Sequence, residues 1–386
     1  MAASAVGSGA RAGGKLRPLF CAALLLLSGC AWFGGGDKKA PALPAISEAN
    51  AATAAWSVNV GKSGGYLFVP GVLEGLLYTL STNGEILALS QQGGRTVARI
   101  ETKARLAGGV GVADNFLVVS TVKGDVLAFD AAGRSLWTTS LAGDVLAAPV
   151  VVSGKVIVRT ADGRIFALNR IDGKRQWVFQ RPTPALTLRT NAGVISRNGT
   201  LYAGYAGGKM VAVEVEGGKP TWEATLSLPR GATELERVAD VAGAPVIDDV
   251  RVCAAVYQGR TGCVETLSGN VLWSREISSA DGVAVDGKLL YVADTGGVVH
   301  ALDKTNGATI WKQEGLVLRD PGTPILYRGT LVVGDKDGLV HVLSTVTGNL
   351  IGRFPTDGSR VVTLLDYGDG VVAQTDKGGV FAIHVR

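Results

Sequence analysis

Histidine, methionine and cysteine are scarce in this chain: 3, 2 and 4 among 386 residues. No two cysteines are adjacent. Three histidines without a cysteine cluster are a poor basis for a zinc site. Walker loops and His-Glu-x-x-His helices, with the chemistry they carry, are missing as well. A net excess of either charge is nearly absent. The chain holds 38 Lys and Arg against 33 Asp and Glu, and three of the bases, Arg11, Lys15 and Arg17, lie in an acid-free stretch before residue 30. Without that stretch the balance is 35 against 33, a net of +2. Such a surface offers no electrostatic footprint for nucleic acid. No apolar run reaches the roughly 20 residues of a membrane-spanning helix. What is abundant is glycine, 54 residues with no Gly-X-Y period, in a chain that is 47% hydrophobic. That composition excludes disorder and collagen and points to a turn-rich β protein.

The N-terminus reads as an address. Basic residues precede a short apolar run, Leu19–Leu27, which ends in Leu27–Ser28–Gly29–Cys30. Small residues before a cysteine directly after such a run resemble a bacterial lipobox. The resemblance implies a signal peptide over 1–29, cleavage before Cys30, lipidation of Cys30 and, with Ala31 rather than Asp next, sorting to the outer membrane. Acyl chains at about 0.8 kcal/mol per buried CH₂ anchor a protein firmly. Residues 30–50, with Gly34–Gly35–Gly36 and two prolines, lack hydrophobic periodicity and read as a lipidated cysteine followed by a flexible linker.

The rest, 51–386, is one unit repeated eight times. Gly84, Gly124, Gly163, Gly208, Gly259, Gly297, Gly338 and Gly378 each open an alternating run, at intervals of 40, 39, 45, 51, 38, 41 and 40 residues. Four positions on sits a small residue, such as Ala88, Ala128 or Cys263. A Gly-x-x-x-Trp marker follows 13 or 14 residues after the first glycine at Trp137, Trp177, Trp222, Trp273 and Trp311; Val97 stands in the slot in the first unit and Gly352 in the seventh. Alternating runs separated by Asn-Gly and Asp-Gly turns make four strands per unit. Units of that kind are propeller blades, so the chain is all-β: an eight-bladed β-propeller of four-stranded antiparallel blades. The eighth unit ends before its tryptophan strand, and Ala54–Val58 around Trp56 supplies it, closing the ring.

Candidate chemistry is thin. One tryptophan per blade at fixed register is packing rather than a ligand platform. His300 and His341 fall at equivalent blade positions, which repeat register explains better than a metal or a base. Cys253 and Cys263 flank a turn centred near Gln258. A three-residue loop would set them opposite each other and allow a disulfide; a two-residue turn would shift the pairing and leave two thiols.

Blade spacing leaves two long connectors. From each tryptophan to the next turn glycine takes 24 to 28 residues in four units, but 31 from Trp177 to Gly208 and 37 from Trp222 to Gly259. Connectors between blades emerge on one face, so two adjacent long ones build a raised patch there, the usual place for function on a rigid body. The first carries Leu186–Thr187–Leu188–Arg189 and the second Glu236–Arg237–Val238–Ala239–Asp240–Val241. Leucine beside arginine has the composition of an interface hot spot.

The blade signature, for example Ala301-x-Asp303-x₃-Gly307-x₃-Trp311, resembles the tryptophan-docking repeat of quinoprotein-type propellers. With the lipobox, linker and long connectors, the whole mature chain resembles the BamB lipoprotein family of the outer-membrane β-barrel assembly machinery. That resemblance implies a non-catalytic scaffold without cofactor or metal, anchored to the outer membrane and facing the periplasm. The partners it implies are a POTRA domain of the barrel-inserting subunit, the other assembly lipoproteins and nascent β-barrel proteins. It also implies that Leu186, Leu188, Arg189 and Asp240 make the POTRA contact. The family pattern has a second aspartate two residues after the first; here Ala242 stands in its place. The alternatives are a periplasmic quinoprotein-type enzyme, which would need a calcium-binding acidic cluster, and a propeller lipoprotein binding a ligand in its central channel.

Overall fold

Alternating residues make strands, and here they make 32 of them, with no helix among the described residues. The computed structural model describes residues 39–46 and 51–386. The signal segment and Cys30 lie outside the described residues. Seven of the blades are meanders whose strands lie side by side in chain order. Blade three, for example, runs Val150–Val152, Lys155–Arg159, Ile165–Asn169, Arg175–Phe179. The short first strands of successive blades touch one another around the inside of the ring. Second and third strands are buried along most of their length because neighbouring blades cover both of their faces. The in-and-out alternation of a half-solvated strand is lost there, as in Leu201, Tyr202 and Ala203, all 5% exposed or less.

The ring closes as the repeat predicts. The eighth blade is Val361–Tyr367, Gly370–Thr375, Gly379–Val385 and then Ala52–Asn59 from the N-terminus as its outermost strand. Trp56 pairs with Ala382 and Ser57 with Phe381. First and last segments thus share one sheet, and no terminal blade is left with an unpaired flank.

The blades are joined by a repeated indole contact. Trp56, Trp137, Trp177, Trp222, Trp273 and Trp311 each lie against the marker glycine of the next blade, respectively Gly94, Gly173, Gly218, Gly269, Gly307 and Gly348. In each case the indole N–H donates to the carbonyl three residues before that glycine, at 2.8–3.0 Å. A side chain on Gly218 would put its Cβ 2.6 Å from the Trp177 ring, and the residue sits at φ +68°. Glycine is required there for space and for backbone conformation. The small residue of the third strand pairs directly with the tryptophan, as Ala128 does with Trp137.

Of the two exceptions, the register corrects one and keeps the other. In blade one the residue paired with Ala88 is Ala98, not Val97, and Val97 faces solvent at 59% exposure. Without a tryptophan before it, Gly133 of blade two packs against Ile100 instead. In blade seven Gly352 holds the slot because the incoming chain passes there: a Cβ on Gly352 would lie 2.7 Å from Ala51 Cβ.

The linker departs from expectation. Ala40 to Arg386 forms one compact unit, and Leu43 and Ile46 pack against the cluster of Trp311, Leu316 and Leu350. The ordered body therefore begins before residue 51, because these apolar side chains find a seam to fill.

Candidate functional site

The long connectors occupy 180–193, between the outer strand Arg175–Phe179 and the inner strand Val194–Arg197, and 226–245, between Pro220–Thr225 and Val246–Ile247. Blade-to-blade connectors share a face with the turns between second and third strands: the Tyr257 N–H donates to the Asp240 carbonyl at 2.8 Å, and the Lys336 N–H to the Arg319 carbonyl at 3.0 Å. The two long connectors also touch each other. The Leu188 N–H donates to Asp240 Oδ2 at 2.6 Å, and the Gly207 N–H to Oδ1 at 3.3 Å.

The four predicted contact residues therefore come together but are not alike. Leu186 is 44% exposed. Leu188 is half-buried and Arg189 exposed, with an Arg189 Nη2 to Asp144 Oδ2 ion pair of 2.6 Å that reaches the preceding connector. Asp240 is only 4% exposed, and both carboxylate oxygens accept from backbone within the propeller. It is built as an internal clamp, not as an outward contact. Burial pushes its carboxyl up from the ordinary value, opposed by the Leu188 and Gly207 N–H groups and by the charge of Arg159. Ala242, in the place of the family's second aspartate, is also buried.

Arg159 is a residue that sequence reading missed. It reaches from the second strand of blade three to the Ala192 carbonyl at 2.9 Å and the Gly204 carbonyl at 2.5 Å. Its guanidinium lies 4.7 Å from the Tyr205 ring centre, and that of Arg181 lies 5.1 Å from the same centre. Two cations on one aromatic ring hold both ends of the 180–193 connector to the blades. Burial raises the Tyr205 hydroxyl to about 12, against the lowering effect of those arginines. In the neighbouring connector Glu236 stays exposed but is engaged within its own loop: its Oε2 accepts from the Ala232 and Thr233 N–H groups at 2.7 and 3.1 Å, which holds its carboxyl below the ordinary value. The apolar side chains that the patch leaves outward are Leu186, Leu228 at 70% and Leu235 at 69% exposure, among the exposed charges of Arg189, Arg230, Glu234 and Arg237. A cavity of about 370 Å³ opens beside it, lined by Arg189, Asn191, Leu146 and Tyr66.

The other candidates resolve as structure. Cys253 pairs with Cys263 in register across a three-residue loop, with the Val256 N–H on the Arg260 carbonyl and Gln258 at φ 50°; their sulfurs are bonded. His300 and His341 each set Nε2 against an aspartate six residues back, Asp294 at 2.8 Å and Asp335 at 2.9 Å. Sequence reading also passed over Gly61–Lys62–Ser63–Gly64–Gly65, which spells Gly-x-Ser-x-Gly; Ser63 is fully buried, its hydroxyl on the Asp376 carboxylate, with no helix after it.

Comparison with known proteins matches this arrangement to a family. A family profile described as outer membrane protein assembly factor BamB matches residues 82–313 and 295–386. The BamB of Nitrosomonas eutropha is 39% identical, over 96% of this chain and 95% of its own. This chain belongs to the BamB family. The BamB of Escherichia coli is 31% identical over 96% of this chain and 99% of its own. The crystal structure of BamB from Moraxella catarrhalis superposes with a TM-score of 0.80 at 26% identity, covering 86% of this chain and 99% of that one. A quinohemoprotein alcohol dehydrogenase from Comamonas testosteroni superposes at 0.71 with 14% identity, over 87% of this chain and 77% of its own, which is a likeness of fold alone. No group of three or more His, Cys, Asp or Glu among the described residues is arranged to hold a metal ion.

Proposed function

We propose that this outer membrane protein assembly factor is a non-catalytic scaffold, held at the outer membrane by lipid on Cys30 with its propeller in the periplasm. The connector patch docks a POTRA domain of the barrel-inserting subunit. Leu186 and Leu188 supply the apolar anchor and Arg189 a charge able to meet a carboxylate or strand-end carbonyl. Asp240 takes a different part from the other three: it positions Leu188 from beneath. The observation that carries the reading is the Leu188–Asp240 hydrogen bond, which turns two loops into one rigid platform and so lowers the ordering cost of binding.

Assistance to nascent β-barrel proteins fits the outer strands, which present free edges with outward Leu136 and Ile310, 50% and 53% exposed. The test of docking is co-purification from detergent-solubilised outer membrane. Leu188→Ala and Arg189→Glu are expected to lose the barrel-inserting subunit while melting like the parent. Parent-level recovery by both variants overturns the assignment.

A further inference from the structure

The segment before the propeller makes contacts of a kind that a free tether does not. Arg319 Nη2 donates to the Pro41 carbonyl and Arg353 Nη2 to the Pro44 carbonyl, both at 3.0 Å. Leu43 and Ile46 pack into the cluster of Trp311, Leu316 and Leu350. Carbonyls at 41 and 44 and side chains at 43 and 46 both recur every third residue, the period of a polyproline II helix. Such a helix has no internal hydrogen bonds, so its carbonyls are free to accept from arginine.

The receiving side is shaped for it. The Pro44 ring covers Gly315, where a Cβ would lie 2.6 Å from Pro44 Cγ. Arg319 is also tied to Asp337 at 2.9 Å, with its side chain 12% exposed. Burial and the neighbouring Arg319 charge both lower Arg353, so two crowded guanidiniums gain from each added carbonyl acceptor.

We propose that the seam between blades six and seven is a binding site for the chain's own Ala40–Ile46 segment, which makes the end of the linker a strap leaving the ring on its connector face. The exit face follows from Arg319 and Asp337, which belong to the 314–324 connector and the adjoining turn. By Ala51 the chain has reached the opposite face, where its carbonyl accepts from the Arg386 N–H at 3.1 Å. If the lipid is on Cys30, as proposed above, only Ala31–Lys39 separate it from the strap, a stretch that can reach at most ~30 Å. The anchor then pulls from the face that bears the docking patch.

A nitroxide on the exposed Ala42, introduced as Ala42→Cys in the full mature chain, tests this by its spectral line shape. Docking gives slow, restricted label motion. Leu43→Ser and Arg353→Ala should each remove the slow component. Leu43 lies outside the ring, so that variant is decisive even where Arg353→Ala melts the propeller. A narrow spectrum in the parent, or a slow component that survives Leu43→Ser, overturns the proposal. Intact mass reports lipidation separately, and in its absence the same spectra are read on Cys30→Ser.

Discussion

Asp240 and Leu188 stand 52 residues apart and are joined by a 2.6 Å hydrogen bond from the Leu188 backbone N–H to the Asp240 carboxylate. A nearly buried acid on one connector thereby sets the height of an apolar side chain on another. The rigid base is the blade-three and blade-four framework around Arg159 and Tyr205, and Leu186, Leu188 and Arg189 ride on it.

Asp240→Ala strands two backbone donors and should cost about 1–3 kcal/mol of stability. Asp240→Asn keeps one acceptor and should cost less. Denaturant midpoints rank the three chains, and hydrogen exchange at Leu188 should speed up in the alanine variant. An unchanged Leu188 exchange rate would remove Asp240 from its clamping role.

The indole contacts predict a graded glycine series. Gly218→Ala meets both a positive φ and the Trp177 ring 2.6 Å away, and should lose about 2 kcal/mol or more. Gly199→Ala has φ +75° with nothing within 4 Å, and should lose about 1 kcal/mol. Equal losses in urea unfolding would mean that the ring contact contributes nothing.

Cys253 and Cys263 are expected to resist alkylation until a reductant is added. Closing a ten-residue separation should stabilise the oxidised chain by about 2–3 kcal/mol. Labelling of both thiols without reductant is the contrary result.

Asp281 predicts a pH dependence. Burial and the nearby Asp320 charge raise it to about 6, with Arg360 opposing. An acid whose folded value lies above its unfolded 3.8 binds more protons when folded, so its contribution to stability falls as pH rises from about 4 to about 6. Asp281→Asn should therefore be more stable than the parent at pH 7.5, by about 1 kcal/mol. That is less than the full shift implies, because the side chain keeps some contact with water. The gap should shrink at pH 4.5; a constant gap in denaturant midpoints would refute the assignment.

Much of this architecture is legible in the residues because it is periodic. Alternation, Asp-Gly turns and one tryptophan per repeat specify blades, and a last repeat short of one strand specifies closure by the segment around Trp56, read as Ala54–Val58 and observed as Ala52–Asn59. The two long intervals locate the raised connector patch, since spacing within a blade is constrained and excess length has to collect in connectors. The slot residue of blade one, Ala98 rather than Val97, is not legible, because without its tryptophan a single alternating strand has no marker of register.

The sequence by itself determined the repeat, the ring, the closing strand and the two long connectors, all of which follow from local periodicity and chain length. Tertiary structure alone decided that each indole seats on the next blade's glycine, that Asp240 faces inward while Arg189 faces out, and that Leu43 and Ile46 belong to the body. Those outcomes turn on which side chains lose their water when distant segments meet, and burial of that kind is a property of the assembled surface, not of any stretch of chain.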